Sequence, residues 1–108
     1  MPESARAGVE VVDLGSGRVQ VRGALTFATA RRARTAGAQL LAGSGGPLEV
    51  NCGAVTASDS AGLAVLLDWL ALAQRQGRAI HFTDLPAPIR AVAHISDVES
   101  FLSQRVTA

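Results

Sequence analysis

The sequence contains no lysine, and all ten of its basic residues are arginine. P-loop nucleotide sites, Schiff-base enzymes and pyridoxal phosphate enzymes each require a lysine, so these classes are excluded. The chain also lacks a GxSxG element and a GxGxxG loop, which leaves no sign of a serine hydrolase or of dinucleotide binding. We therefore expect neither a catalytic residue nor a cofactor.

Cysteine and histidine are scarce as well. Cys52 is the only cysteine, so an internal disulfide is excluded, and the residue is expected to be a small buried apolar side chain. His81 and His94 have no cysteine or carboxylate at metal-ligand spacing, and no metal site is expected. We expect His81 on a strand at the edge of the sheet.

Charge and hydropathy point neither to nucleic acid nor to a membrane. The net charge is +1, and the group Arg31, Arg32 and Arg34 is typical of a solvated helix face, with phosphate contact as the alternative. No segment approaches the roughly 20 apolar residues that span a bilayer, and MPESARAGVE lacks the apolar run of a signal peptide. We expect a cytoplasmic protein without direct membrane insertion, which is compatible with attachment to a membrane complex.

At 108 residues with 48% hydrophobic residues, the chain is expected to form one domain over residues 1–108, ordered from about 9 to 103. The first eight residues and the last four are expected to be unstructured. VEVVDL and RVQVRG, separated by Gly15–Gly17, predict a β-hairpin.

Helical spacing follows from Thr26 to Leu41, with Thr26 as the predicted N-cap. The residues predicted on its inner side are Phe27, Ala30, Ala33, Leu40 and Leu41. The glycine-rich turn 43–47 releases a strand over Leu48–Cys52, and GAVTAS is predicted to be a loop.

The strongest helix signal runs from about Ser60 to Gln76 and ends at Gly77. The next predicted element is a strand over 78–83. It is followed by a helix that begins around Leu85–Pro88 and ends near Ile95, and by a short element at Val98–Leu102. The order β-β-α-β-α-β-α predicts an α/β fold, in which a mixed β-sheet of about four strands packs against three to four α-helices.

The candidate functional residues lie at the start of the second helix. Asp59 and Ser60 stand where a helix presents free N–H groups and partial positive charge, which favour a carboxylate, a hydroxyl or a phosphate. Simple capping by either residue is the alternative interpretation. Gly62, in the first turn, allows another backbone or a ligand to approach closely.

Two apolar stripes run along this helix. The stripe typical of a core consists of Leu63, Leu66, Leu67, Leu70 and Ala73. A second stripe continues from Ala61 through Val65, Trp69 and Leu72. It indicates either a surface for a partner, with Trp69 as its anchor, or a helix that is buried on two sides within its own fold.

The run VTASDSAGLAVLL after the strand LEVNC resembles the central motif of STAS domains, the family of bacterial anti-sigma factor antagonists and of transporter subunits. GALTFATA, at the start of the first helix, and Gly77 with its following strand match as well, so the resemblance covers about residues 9–103. It implies a single STAS domain.

The segments LTFAT, DSAGLAVLLDWL, QRQG and FTDLP are most similar to the STAS subunit, MlaB-like, of Mla-type phospholipid-transporting ABC systems. This resemblance implies a non-catalytic subunit that binds the cytoplasmic ATPase of the transporter and is held peripherally at the inner membrane. The partner-binding residues that it implies are Asp59, Ser60, Ala61, Gly62, Val65 and Trp69.

The alternative is an anti-sigma factor antagonist, whose partner is an anti-sigma factor kinase. Within that group Ser60 corresponds to the residue that is phosphorylated, and a phosphate there would add about −1.5 to −2 charge at the helix start. That group usually carries acidic residues near the serine, where this sequence has neutral Thr26 and Asn51.

Overall fold

The computed structural model describes residues 8–42 and 45–95, the last four by their backbone only. The described elements follow in the predicted order. They are β1 Val9–Gly15, β2 Arg18–Leu25, α1 Ala30–Leu41, β3 Leu48–Ser58, α2 Ser60–Arg75, β4 Ile80–Thr83 and α3 Ala87–Ile95. The predictions for 1–7, for Val98–Leu102 and for the last four residues lie outside the described residues.

The four strands form one mixed sheet in the order β1-β2-β3-β4. β1 and β2 form the predicted antiparallel hairpin, and its turn has positive φ angles at Gly15, Ser16 and Gly17, which glycine adopts without steric cost. β2 and β3 are parallel, as are β3 and β4. Helices α1 and α2 are the crossovers that parallel pairing requires.

Alternation along the strands separates a covered face of the sheet from a polar face. Val19, Val21 and Val50 are buried, whereas Arg18 and Arg22 are exposed on the opposite face of the sheet. Cys52 is buried, as predicted, and His81 lies on β4, which pairs with β3.

Strand β3 is longer than predicted, because GAVTAS is part of it and not a loop. Its partner β2 continues to Leu25, and the parallel register follows it as far as Ser58, with two irregularities on the way. The small and polar residues of this segment give no apolar alternation, so cross-strand hydrogen bonding decides its conformation. The strand therefore runs directly into the start of α2.

Helix α1 begins at Ala30, four residues later than predicted, and Thr26 is not its N-cap. Residues 26–29 form a turn in which the Thr29 hydroxyl accepts a hydrogen bond from Thr26 N at 3.0 Å and donates to the Ala24 carbonyl at 2.8 Å. This turn places Phe27 outside the helix, where it is 85% exposed. The prediction that Phe27 faces the core is therefore wrong.

Helix α2 is buried on two sides within its own fold. It packs against both α1 and α3, and both of its apolar stripes contribute to the core. Val65 is 1% exposed and Trp69 is 2% exposed, so the prediction that they extend a docking face is wrong. Gly77, with φ 68°, follows the helix end as predicted.

Arg78 has a structural role that the sequence patterns did not indicate. Its buried guanidinium donates to the carbonyls of Leu40 and Leu41 at 3.1 Å and of Gly46 at 2.9 Å. The carbonyls at a helix C-terminus have no partner within the helix and carry partial negative charge. Arg78, which follows α2 in the chain, therefore caps the C-terminus of α1. Strand β4 begins at Ile80, two residues later than predicted.

Candidate functional site

Asp59 caps helix α2. Its Oδ1 accepts hydrogen bonds from the backbone N–H of Ala61 at 2.9 Å and of Gly62 at 3.2 Å. The residue has extended backbone geometry, as N-cap residues do. The capping interpretation is thus confirmed for Asp59, which satisfies two of the four free N–H groups at the helix start.

The second carboxylate oxygen of Asp59 reaches another part of the chain. Oδ2 accepts a hydrogen bond from Phe27 N at 3.1 Å, across 32 positions of sequence. One side chain therefore fastens the turn 26–29 to the start of α2. This bridge holds the backbone of Phe27 near the start of α2.

Ser60 is exposed at the first position of α2. The Asp59 carboxylate already serves the N–H groups of the next two residues, so the Ser60 hydroxyl is not needed for capping and is open to solvent. A helix start with an exposed hydroxyl can contact a partner, and it can also accommodate a phosphate.

Gly62 is buried and cannot form part of an exposed rim, which corrects that prediction. A Cβ at this position would overlap the carbonyl oxygen of Leu25 and would lie 3.2 Å from its Cγ. The missing side chain thus allows the end of β2 to approach the first turn of α2. Ala61, which is half-buried, lies between Gly62 and the exposed Ser60.

We predict that Gly62→Ala lowers the free energy of unfolding by about 1–3 kcal/mol, because the added methyl group meets backbone that cannot move aside. Helix propensity alone favours alanine over glycine by about 1 kcal/mol. A loss of stability in Gly62→Ala would therefore have to come from the contact with Leu25. Chemical denaturation followed by circular dichroism measures it. Ala64→Gly, at an exposed position of α2, is the control and should show only the propensity cost; stabilisation by Gly62→Ala would contradict the contact with Leu25.

Of the two neutral positions noted in the sequence, Asn51 has a structural role through its side chain, whereas Thr26 takes part through its backbone. Thr26 N binds the Thr29 hydroxyl. Asn51 Nδ2 donates to Asp84 Oδ2 at 2.7 Å and to Thr83 Oγ1 at 3.1 Å, while its Oδ1 accepts from Gly53 N at 2.9 Å. Asn51 thereby ties β3 to the end of β4.

Within residues 8–42 and 45–95, no helix has the length and apolar character required to cross a membrane. Over the same residues, no cluster of three or more histidine, cysteine or carboxylate side chains is placed to hold a metal ion.

Comparison with known proteins assigns the chain to a family. A family model described as the MlaB STAS domain matches residues 10–104. A search of curated protein sequences gave no significant match.

Two solved structures share the fold. The anti-sigma factor antagonist SpoIIAA, in its unphosphorylated form, has a TM-score of 0.62 at 14% identity, over 93% of this chain and 88% of that chain. A sulfate transporter family protein from Wolinella succinogenes has a TM-score of 0.63 at 15% identity, over 87% of this chain and 76% of that chain. At these identities the likeness concerns the fold alone. Because the family match spans most of the sequence, the chain belongs to the MlaB-type family of STAS domains.

Proposed function

We propose that the chain is a non-catalytic subunit that binds the cytoplasmic ATPase of an Mla-type phospholipid-transporting ABC complex. The STAS family is one of regulatory, non-catalytic domains. The match to the MlaB type over residues 10–104 is the observation that carries the proposal. In this function the protein is held at the cytoplasmic side of the inner membrane through its partner, and the complex serves the lipid asymmetry of the outer membrane.

The site geometry supports a role in protein binding. Asp59 fixes the first turn of α2 through two backbone hydrogen bonds and fixes the turn 26–29 through a third. Ser60 and Phe27 are therefore exposed on a backbone that is already ordered. A preformed surface binds with a smaller loss of conformational entropy than a flexible one.

The chain should co-purify with the ATPase subunit of an Mla-type transporter when the two are co-expressed. We expect Ser60→Asp to weaken this complex by more than about 1 kcal/mol, because a carboxylate at the contact must be desolvated. Ser60→Ala should have a much smaller effect, since it removes only a hydroxyl. Titration of the purified ATPase by calorimetry gives both affinities.

Ser16→Asp is the matched control, because Ser16 is also exposed but lies in the hairpin turn at the opposite end of β2. It should bind as the wild type does. Full affinity of both Ser60 variants would remove Ser60 from the interface, and failure of the wild-type chain to bind any Mla-type ATPase would contradict the proposed function.

A second candidate function is that of an anti-sigma factor antagonist controlled by phosphorylation of Ser60. The exposed hydroxyl at a helix start favours it, because a phosphate there would lie at the positive end of the helix dipole. Incubation with an anti-sigma factor kinase and ATP tests it. Under this function mass spectrometry should find one phosphate on the wild type and none on Ser60→Ala.

A further inference from the structure

Phe27 is the most exposed of the large hydrophobic side chains that the structure describes. It is 85% exposed, compared with 53% for Leu14. Its backbone is also ordered, since its N–H binds Asp59 and the Thr29 hydroxyl closes its turn. A large aromatic side chain that is exposed on an ordered backbone is a candidate interface anchor.

Positive charge is concentrated on α1, the helix that follows the turn of Phe27 in the chain. The arginine face, as we name it, comprises Phe27, the outward side of α1 with Arg31, Arg32 and Arg34, and Asp68 and Arg75 of α2. It holds four of the ten arginines of a chain whose net charge is only +1. α1 itself contains no acidic residue, and Arg34 pairs with Asp68 at 3.5 Å. The arginine face is therefore basic in an otherwise balanced molecule.

A groove between α1 and α2 adjoins this face. Its volume is about 200 Å³, and its apolar lining consists of the small side chains Ala30, Ala61 and Ala64, with the buried Val65 at its floor. Arg34 and Asp68 form its polar wall. Because Ala61 follows Ser60 directly, the groove continues the surface at the start of α2.

We infer that the arginine face receives an acidic surface of a partner protein, in which Phe27 occupies an apolar pocket ringed by aspartate or glutamate. The charge of the face selects the partner, and Phe27 supplies the buried anchor. The inference deepens the proposed function, on which it rests: the acidic surface belongs to the ATPase.

A protein fits this surface better than an anionic membrane does. A helix that lies on a bilayer directs a row of apolar side chains toward the lipid. The apolar side of α1, with Ala33, Gly37 and Leu41, is buried in the core of this domain instead. Among the described residues of this face, Phe27 is the one exposed large hydrophobic side chain that could contact lipid, whereas a folded partner can both enclose Phe27 and fill the groove.

Affinity for the co-purified ATPase tests the two components of the face separately. We expect Phe27→Ala to weaken binding about tenfold or more, chiefly through faster dissociation. Arg31→Glu combined with Arg32→Glu should weaken binding at least about tenfold at low salt, chiefly through slower association, and should reduce the salt dependence. Surface plasmon resonance at several salt concentrations separates these rates.

Matched controls lie on the same molecule, away from the face. Leu14→Ala truncates a second exposed large hydrophobic residue, in β1. Arg18→Glu combined with Arg22→Glu reverses two exposed arginines on the far side of the sheet. Both should bind within about twofold of the wild type. Unchanged affinity of the Phe27 and Arg31/Arg32 variants in a complex that does form would overturn the inference and leave the proposed function intact.

Photo-crosslinking in native cells tests the arginine face without assuming in advance which protein is the partner. Phe27→p-benzoylphenylalanine in the full chain is expected to crosslink to the ATPase within a segment rich in aspartate or glutamate, and the same replacement at Leu14 is not. A crosslink from position 27 to an acidic segment of a different protein would support the arginine face but contradict the proposed function. A crosslink to lipid, to a segment without acidic residues, or to nothing would overturn the inference.

Discussion

Trp69→Ala is expected to lower the free energy of unfolding by about 3–5 kcal/mol, because it removes the largest fully buried side chain of the described core. Small domains have total stabilities of about 5–15 kcal/mol, so the variant should be only marginally folded at room temperature. Urea denaturation followed by far-ultraviolet circular dichroism measures the change. The indole lies beside a pocket that aliphatic side chains from β1, β2, β3 and β4 line, and truncation would therefore enlarge an existing void.

Phe27→Ala is the control for this experiment, since it truncates an aromatic residue that is 85% exposed. A surface substitution of this kind should change stability by no more than about 0.5 kcal/mol. Trp69→Ala is thus expected to lower the free energy of unfolding, whereas Phe27→Ala is expected to weaken partner binding and leave stability almost unchanged. If Trp69→Ala unfolded at the same urea concentration as the wild type and instead lost its partner, the burial of Trp69 would be contradicted.

The packing of Trp69 depends on Gly37 of α1. A Cβ at Gly37 would overlap the indole ring at Nε1 and Cε2, so the bare backbone of α1 forms one wall of the indole site. Gly37→Ala should therefore destabilise the wild type strongly and the Trp69→Ala variant much less. This non-additivity is the signature of a direct contact in a double-mutant cycle.

The sequence predicted the order of the elements and the core stripe of α2, because these follow from local periodicity. It could not assign the second stripe of α2. Periodicity shows that Val65 and Trp69 share one side of the helix, but it does not show what covers that side. The cover is α1, and the glycine that admits the indole lies 32 positions earlier in the chain.

The candidate site was predicted in part for the same reason. Local rules placed Asp59 and Ser60 at the start of α2 and left open which of them caps the helix. The bond between Asp59 and Phe27 N joins two segments that are distant in sequence, so no local pattern could place Phe27 at the site. Helical spacing instead assigned Phe27 to the core, since a turn closed by the Thr29 hydroxyl and the first turn of a helix present similar sequences.

Cys52 gives the molecule an unusual response to alkaline pH. Burial, reinforced by the negative charge of Asp84, raises the pKa of the Cys52 thiol from 9.0 to about 12. The chain contains neither lysine nor tyrosine, the two other side chains that ordinarily titrate near pH 10. Between pH 9 and pH 12, Cys52 is thus the one side chain expected to change its protonation between the folded and unfolded states.

The free energy of unfolding is expected to fall as pH rises from 9 toward 12. In this window the unfolded chain loses the Cys52 proton while the folded chain keeps it, so the unfolded state binds fewer protons and gains stability with pH. The raised pKa predicts a loss of the order of 4 kcal/mol across the whole window. Urea denaturation at a series of pH values measures it.

Cys52→Ala provides the control, because it removes the titrating group and retains a small apolar side chain in the core. Its stability should be lower than that of the wild type at pH 8, owing to the lost packing, yet almost independent of pH between 9 and 12. The two stability curves are therefore expected to approach each other as the pH rises, and to cross once the wild type has lost more stability than the packing of the thiol contributes. Parallel curves would show that the thiol ionises equally readily in both states, and that neither burial nor Asp84 holds its proton in the folded protein.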